Sequence, residues 1–322
     1  MSRLNEFASQ QKPVDLGIWL QYYAFDVVGE ITFASKLGFL ERGEDVDGMM
    51  HSIEGMLSYA AIVGQVPGLH RVLLGNPLLT LLMPAMETWN QVVVFTTKAI
   101  RNRSLIDSNG ELLSAGSSEG KDMLSRWAQV RDSNPDKMST KDVVVALSGN
   151  VFAGSDTTAI ALRATVYYLC RNPRCMEKLV KDIDDADREG KLSNPISFKE
   201  SNGIAYLIAV LKESMRLHPS VGLLMERHVP AQGVDVDGYF LKAGTIVGIN
   251  PWVVCRDPEI FPEPDEFRPE RWLEASASLI VMDNAWELNF GAGARKCTGR
   301  NISCKHCSIG VSIAANHYQG SR

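Results

Sequence analysis

The stretch "NFGAGARKCTGR", residues 289–300, is the part of the sequence that most directly indicates the fold, because it places one cysteine among three glycines and three basic side chains. A cysteine in such a setting is compatible with several roles: a ligand, a nucleophile, half of a disulfide, or a small core residue. Glycines let a backbone pass close to another group. The role of Cys297 therefore has to be decided from the rest of the chain.

Most roles of Cys297 find little support in its surroundings. Six cysteines in 322 residues do not form a disulfide scaffold, and no histidine stands at a spacing that marks it as the base for a nucleophilic thiol. Zinc is an alternative because Cys304, His306 and Cys307 follow, but no second pair of ligands lies upstream. A phosphate-binding loop would need a Lys-Ser/Thr ending, which is lacking. The remaining interpretation is a single thiolate ligand to a haem iron, with Arg295 and a following helix start favouring the anionic sulfur.

The composition is that of an ordinary globular protein, with 45% hydrophobic and 22% charged residues. A net charge of −5 and a pI near 5.8 argue against nucleic-acid binding. The N-terminus lacks the apolar core of a signal peptide, and no unbroken run of 18 apolar residues predicts a spanning helix. The apolar segment 63–84, punctuated by Pro and Gly, is expected to be a buried loop-and-helix region, and the alternative is a surface that touches a bilayer or covers an apolar cavity. A reducing, cytosol-facing environment is the expected setting.

The hydrophobic periodicity predicts a mainly α chain with a minor β part, in one domain over residues 1–322. Helices are predicted over Val14–Phe33, Met49–Ile62, Glu87–Arg103, about 139–172, Met176–Arg188 and Gly203–Leu217, with a loop at 104–121. The 139–172 helix has a capping-box-like start at Ser139 and Asp142 and a stop at Pro173. It is apolar nearly all round and should be buried. Past Pro219, short alternating runs between Gly and Pro predict small strands.

The long helix carries the segment "AGSDTT", residues 153–158, in an otherwise apolar wall. A mid-helix glycine costs about 1 kcal/mol relative to alanine, and such a departure from helix preference often marks a functional site. Thr157 can bond back to a carbonyl and bend the helix, while a buried Asp156 beside it could move protons. The alternative is a Gly-Ser notch for helix packing, with Asp156 facing solvent.

Two further motifs supply charges, "ESMR" and "PERW". Glu213 and Arg216 stand at i and i+3, so they share one side of a helix and can pair. The alternative is a surface pair of little energetic value. If the pair is buried it needs further partners, and Arg271 is the candidate third member.

These motifs, in this order, resemble the cytochrome P-450 family of haem-thiolate monooxygenases, and the resemblance runs from roughly Pro13 to Gly299. "FGAGARKCTG" is similar to its cysteine-ligand loop at every signature position, "AGSDTT" to its oxygen-activation segment, and "ESMR" with "PERW" to its Glu-x-x-Arg pair and meander. The early stretch "DLGIWLQYYAFDVVGEITF" resembles fungal members close to the pisatin demethylase group.

The resemblance implies a role for each matching residue. Cys297 would be the axial ligand of the iron of haem b, with Phe290 packed by the sulfur. Asp156 and Thr157 would relay protons to dioxygen. The other residues expected at the haem or the cavity beside it are Arg227, Arg295, Gly291, Gly293, Gly299, Ala153, Gly154 and the Val221–Leu223 stretch. Glu213, Arg216 and Arg271 would form the structural network, while Lys296 and Arg300 would contribute to a basic face.

The same resemblance sets expectations for partners and location. Electrons would come from NADPH through a cytochrome reductase that meets this basic face. The substrate would be a small apolar compound of fungal secondary metabolism, hydroxylated or O-demethylated. The family sits on the cytosolic face of the endoplasmic reticulum membrane by an N-terminal helix. No counterpart of that helix is found here, so a cytosolic location is the alternative.

The chain departs from the family pattern at both ends. The first helices, most of the main sheet and a Trp-x-x-x-Arg motif have no counterpart, so the expected fold is a partial cytochrome P-450 fold. The tail 302–322 is atypical, and the alternation of Ile309, Val311 and Ile313 favours a strand over the family's helix. The hypothesis is a truncated or misspliced gene model whose product binds haem poorly or aggregates. The competing functions are thus a monooxygenase, a non-catalytic remnant and a zinc module.

Overall fold

A computed structural model describes residues 2–78, 89–102, 122–275 and 278–318. The helices in these ranges are α1 Ser2–Ser9, α2 Leu16–Phe33, α3 Phe39–Arg42, α4 Met49–Gln65, α5 Leu69–Val72, α6 Trp89–Asn102, α7 Met123–Ser133, α8 Thr140–Arg171, α9 Pro173–Arg188, α10 Phe198–Asn202, α11 Ala205–Leu217, α12 Pro251–Val254, α13 Leu279–Glu287 and α14 Arg300–Tyr318. The loop predicted at 104–121 and part of the apolar segment 63–84 lie outside the described residues.

The β part consists of two small antiparallel pairs, as the broken alternation past Pro219 predicts. Strand β1, Met225–His228, pairs with β4, Ile246–Ile249, in a register that places Arg227 opposite Val247. Between them, β2, Val234–Val236, pairs with β3, Tyr239–Leu241. The four strands follow one another in the chain, so the inner hairpin is nested within the outer pair.

The chain packs into two compact units, Met1–Ala159 and Ile160–Arg322, whose border falls inside the continuous helix α8. The core of the first unit is aromatic and aliphatic, with the rings of Phe25 and Phe39 stacked at 4.4 Å between centroids. Beside them the buried carboxylate of Asp26 accepts hydrogen bonds from three successive backbone amides at 38–40, which anchors the start of α3. The expected single domain over 1–322 stays a prediction.

Helix α8 begins at the predicted capping box. The Ser139 amide donates to Asp142 Oδ2 at 2.8 Å, and the Asp142 amide donates back to Ser139 Oγ at 3.3 Å. The helix is not buried all round as expected, because Val145 is 59% exposed and Tyr167 57% exposed. By its length and composition, α8 could also cross a membrane. This differs from the prediction of no spanning helix, which relied on the lack of an unbroken apolar run. Core helices of soluble proteins share this length and composition, so these two properties do not define a membrane span.

The strand predicted for the tail is wrong. Residues 300–318 form helix α14, which contacts α9, α10 and α11. The side chains at 307, 308, 311 and 312 are buried, and this i, i+1, i+4, i+5 pattern is a helical stripe. The Ser308 hydroxyl lies 3.1 Å from that of Ser201 in α10. Alternation at 309, 311 and 313 therefore competed with a stronger helical pattern made of small residues.

Candidate active site

A buried carboxylate organises the second unit. Helix α11 places Glu213 and Arg216 one turn apart, and both side chains are fully buried. Arg216 binds the carboxylate in a fork, with Nε donating to Oε2 and Nη2 to Oε1, each at 2.9 Å. Such bidentate pairs are among the stronger hydrogen bonds in proteins. The alternative of a surface pair is therefore wrong.

The meander brings three more donors to the same carboxylate. Arg271, in the 3-10 helix Pro269–Trp272, donates from Nε to Glu213 Oε1 at 3.0 Å. The backbone amide of Arg268 also reaches Oε1 at 3.0 Å, and Trp272 Nε1 reaches Oε2 at 2.9 Å. Glu213 thus accepts five hydrogen bonds. Sequence reasoning missed Trp272, although its place directly after Arg271 was the available signal.

Backbone carbonyls accept further hydrogen bonds from both guanidinium groups. Arg216 donates to the carbonyls at 255, 264 and 266, and Arg271 to those at 262, 263 and 266, over 2.6–3.4 Å. Burial lowers the pKa of Arg271, an effect that the charge of Glu213 opposes. Two buried cations share one anion, so these carbonyl dipoles are needed to offset the remaining charge. The irregular 255–268 segment consequently folds around the pair.

The cysteine loop lies in the same unit as this network. It follows α13 and the 3-10 helix Leu288–Phe290, and Phe290 is buried with its ring edge-on to Trp286 at 5.6 Å. Gly291 has φ +72° and Gly293 φ +63°, values that side chains other than glycine rarely adopt. The Cys297 amide donates to the Phe290 carbonyl at 2.7 Å, which closes the loop. The Cys297 thiol is exposed and is not in a disulfide.

One carboxylate neutralises two of the three cations in this loop. Glu287, the last residue of α13, pairs with Lys296 Nζ at 2.8 Å and with the Arg300 guanidinium. Burial by itself would raise the pKa of Glu287, but the two cations outweigh it and hold that pKa below its usual value. The Arg295 side chain is exposed, and among the residues that the structure describes its guanidinium forms neither a hydrogen bond nor an ion pair. The basic face expected from Lys296 and Arg300 is thus partly compensated from within.

Arg227 lies on strand β1 with its side chain exposed. Its Nη1 donates to the neighbouring carbonyl of Glu226 at 2.6 Å. The nearby Val221–Leu223 stretch is also exposed, at 43% for Val221 and 46% for Leu223. These positions leave the guanidinium and the apolar side chains accessible to another molecule.

The segment 153–158 of α8 contains both a helix-packing notch and a buried acidic group, the two features that its sequence allowed. A Cβ on Gly154 would lie 2.9 Å from Val28 Cγ2, so this glycine is a packing notch against α2. Asp156 does not face solvent: it is 8% exposed and accepts a hydrogen bond from Gln21 Nε2 at 2.5 Å. Thr157 Oγ1 donates back to the Ala153 carbonyl at 2.7 Å. Gln21 lies 135 residues from Asp156 in the chain. It belongs to none of the motifs, so no signal in the sequence indicated this contact.

The zinc interpretation is wrong for the residues that the structure describes, since they contain no group of three His, Cys, Asp or Glu able to hold a metal ion. Cys304, His306 and Cys307 lie on helix α14. Burial raises the pKa of Cys307 to about 12 and lowers that of His306 to about 4. A thiol that resists ionisation is a poor metal ligand.

Comparison with known proteins places the chain in the same family that its motifs resemble. The model of the cytochrome P450 family matches residues 1–313, which include the first turns of α14, and the chain belongs to this family. The mainly α fold and the predicted fungal resemblance are thereby confirmed. Family membership implies a haem with cysteine thiolate ligation and a redox partner.

Three fungal relatives illustrate the match. A cytochrome P450 monooxygenase of Aspergillus flavus is 38% identical over 321 residues, covering 97% of this chain and 61% of the relative. The monooxygenase ACRTS1 of Alternaria alternata is 37% identical over 309 residues, covering 94% and 80% respectively. Pisatin demethylase of Fusarium vanettenii is 34% identical over 310 residues, covering 96% and 58%. The chain thus spans about 60% of the length of two of these relatives.

The residues around Cys297 fit a haem. The thiol is accessible, and it lies 3.9 Å from the position that a Cβ on Gly299 would occupy, which is an ordinary contact distance. Arg295 has its guanidinium available for a carboxylate. The Nε of Arg300 is buried without a hydrogen-bond partner among the described residues. An accessible sulfur beside cationic donors is the chemistry that an anionic, iron-bearing macrocycle requires.

Proposed function

We propose that this chain binds haem b through the Cys297 thiolate and acts as a monooxygenase. The observation that supports this most directly is the accessible, unpaired thiol in a glycine loop whose backbone is closed onto Phe290. The five-bonded Glu213 in the same unit supports it further, because that network keeps the meander folded. When bound, the haem supplies the one-electron and dioxygen chemistry.

The chain's own residues would hold the cofactor and its surroundings. Cys297 would be the iron ligand, and the buried ring of Phe290 would shield its sulfur. Arg295 and Arg227 would bind the propionates, which suit guanidinium groups. Arg295 has no partner to release among the described residues, and Arg227 would give up one neighbouring carbonyl.

Asp156 and Thr157 would move protons during oxygen activation. Gln21 fixes the Asp156 carboxylate in one orientation, and the Ala153 carbonyl holds the Thr157 hydroxyl, so both groups are ordered before any substrate arrives. Ala153, which is exposed, and Gly154 would border the cavity for substrate. The packing of Gly154 on Val28 gives that glycine a structural role as well.

The fungal relatives and the family's redox chemistry support a proposal for the substrate class and the partners. We propose a small apolar secondary metabolite that is hydroxylated or O-demethylated, with dioxygen as co-substrate. Electrons would come from NADPH through a reductase. The cytosolic face of the endoplasmic reticulum membrane is the proposed site of action, as for fungal family members in general.

The test is a reduced carbon-monoxide difference spectrum of the purified chain after haem addition. Wild type should show the strong thiolate-type Soret band, and Cys297→Ser should lose it. Cys170→Ser is the matched control, because Cys170 is another exposed free cysteine of the same unit. A wild-type chain without this band would contradict haem-thiolate function and support the alternative of a non-catalytic fragment.

A further inference from the structure

The cysteine loop is tied at both sides by one carboxylate. Lys296 directly precedes Cys297, and Arg300 follows it by three residues. Glu287 pairs with both, through Oε2 to Lys296 Nζ at 2.8 Å and through Oε1 to the Arg300 guanidinium. Among the residues that the structure describes, Glu287 is the one side chain that forms ion pairs on both sides of this cysteine.

The loop needs such a tie because its backbone is permissive. Gly291 and Gly293 both have positive φ, where glycine moves between conformations at little cost. Three backbone bonds restrain the segment before the sulfur, from the Gly291 amide to Leu288 at 2.9 Å, from the Lys296 amide to Gly293 at 3.1 Å and from the Cys297 amide to Phe290 at 2.7 Å. After the sulfur, the Ser303 amide donates to the Gly299 carbonyl at 2.9 Å. The Glu287 pair with Arg300 connects the C-terminal side, where α14 begins.

A third contact strengthens the connection to the core. The Arg300 guanidinium lies 5.6 Å from the ring centre of Phe290, whose own carbonyl accepts the Cys297 amide. Arg300 thus bridges the carboxylate and the aromatic ring. The three side chains are 30–47% exposed, so each pair by itself is modest. Their joint effect is to fix the same short loop from two directions.

We propose that Glu287 is a positioning residue that sets the conformation of the Cys297 loop. The value of this position for a bound haem rests on the proposed function, but the tie itself is a property of the chain without haem. Glu287 would also determine how much of the Lys296 and Arg300 charge faces a redox partner.

Trypsin provides a direct test in the full chain without haem. To cleave after Lys296 or Arg300 the protease must withdraw that cation from Glu287 into its own pocket. Limited digestion with mass spectrometry of the peptides should show cleavage at these two bonds about three- to tenfold faster in Glu287→Gln than in wild type. Glu287→Asp keeps the charge and should fall between them.

Glu274→Gln is the matched control. Glu274 also pairs with a surface arginine of the same unit, Arg268, at 3.5 Å. Its substitution should leave the rates of cleavage after Lys296 and Arg300 unchanged. Equal rates at Lys296 and Arg300 in Glu287→Gln and Glu274→Gln would overturn the proposal. So would cleavage that rises evenly across the whole unit, which indicates general unfolding.

A second measurement separates this inference from the proposed function. If wild type forms the thiolate Soret band, Glu287→Gln should convert part of it to the blue-shifted form without thiolate, while haem content stays the same. Loss of haem without such conversion would count against positioning. A wild-type chain that forms no band contradicts the proposed function alone, because the digestion result does not depend on haem.

Discussion

Replacing Trp272 by phenylalanine isolates one hydrogen bond of the Glu213 network. The change removes Nε1–H, which donates to Glu213 Oε2 at 2.9 Å, and keeps an aromatic ring in place. Because the acceptor is a fully buried carboxylate, this is a charge-assisted bond, and losing such a bond costs about 1.5–3 kcal/mol. Part of the cost is the smaller ring, so the measurement needs a control of the same kind.

Trp286 supplies that control. Trp272 is 6% exposed and Trp286 is 5% exposed, and Lys212 Nζ lies over both rings at 5.1 and 5.5 Å. Trp286 Nε1, however, donates to the neutral carbonyl of Lys212 at 3.0 Å. A neutral bond contributes about 0.5–1.5 kcal/mol. Trp286→Phe should therefore destabilise the chain by about 1–2 kcal/mol less than Trp272→Phe, since the loss of ring volume is common to both.

The assay is urea unfolding followed by circular dichroism at 222 nm, which does not depend on tryptophan emission. The difference between the two variants in the free energy of unfolding, at equal denaturant dependence, is the quantity of interest. Equal losses would refute the reasoning. They would mean that the Glu213 carboxylate does not draw extra stability from its fifth donor.

Three further predictions concern the helices. Gly154→Ala should destabilise the chain by about 1–3 kcal/mol, because its Cβ would meet Val28 at 2.9 Å; Gly149→Ala on the same helix, with nothing within 4 Å, should instead stabilise it by about 0.5–1 kcal/mol, and similar effects in thermal unfolding would contradict the packing notch. Asp26→Asn should lower the free energy of unfolding by about 1–2 kcal/mol, because the charge bound by three amides is lost; an unchanged urea midpoint would count against this. Burial lowers the pKa of His306 to about 4 in the folded chain, from an ordinary value of 6.5. The unfolded chain therefore binds the proton more readily, and stability should fall as the pH drops from 6.5 to 4. His306→Gln should flatten that part of the pH–stability curve, and an unaltered slope would show that this histidine is not the source of the pH dependence.

Much of the site could be predicted because its signals are local. The i, i+3 spacing of Glu213 and Arg216 follows from helix geometry alone, and Ser139 with Asp142 marks the start of α8 within four residues. The glycine loop around Cys297 likewise carries its own backbone requirements. In each case the interacting groups are close in the chain, so residue type and spacing are sufficient.

The partners that complete these motifs are set by packing between distant segments. Asp156 is held by Gln21, 135 residues away, and Glu213 by Trp272, 59 residues away. The ion pairs of Glu287 with Lys296 and Arg300 depend on how the end of α13 lies beside the start of α14. No periodicity encodes such contacts, because they arise only when the segments are brought together around a shared core.

By itself, the sequence determined the family, the mainly helical fold and the cysteine expected to serve that family's chemistry. Tertiary structure alone decided the state of the last helix. Alternation at 309–313 favoured a strand, yet burial of 307, 308, 311 and 312 against α9, α10 and α11 stabilises α14 as a helix. Burial of this continuous stripe stabilises the helix by more than the local preference for a strand destabilises it. For this reason the helix that follows Cys297 forms.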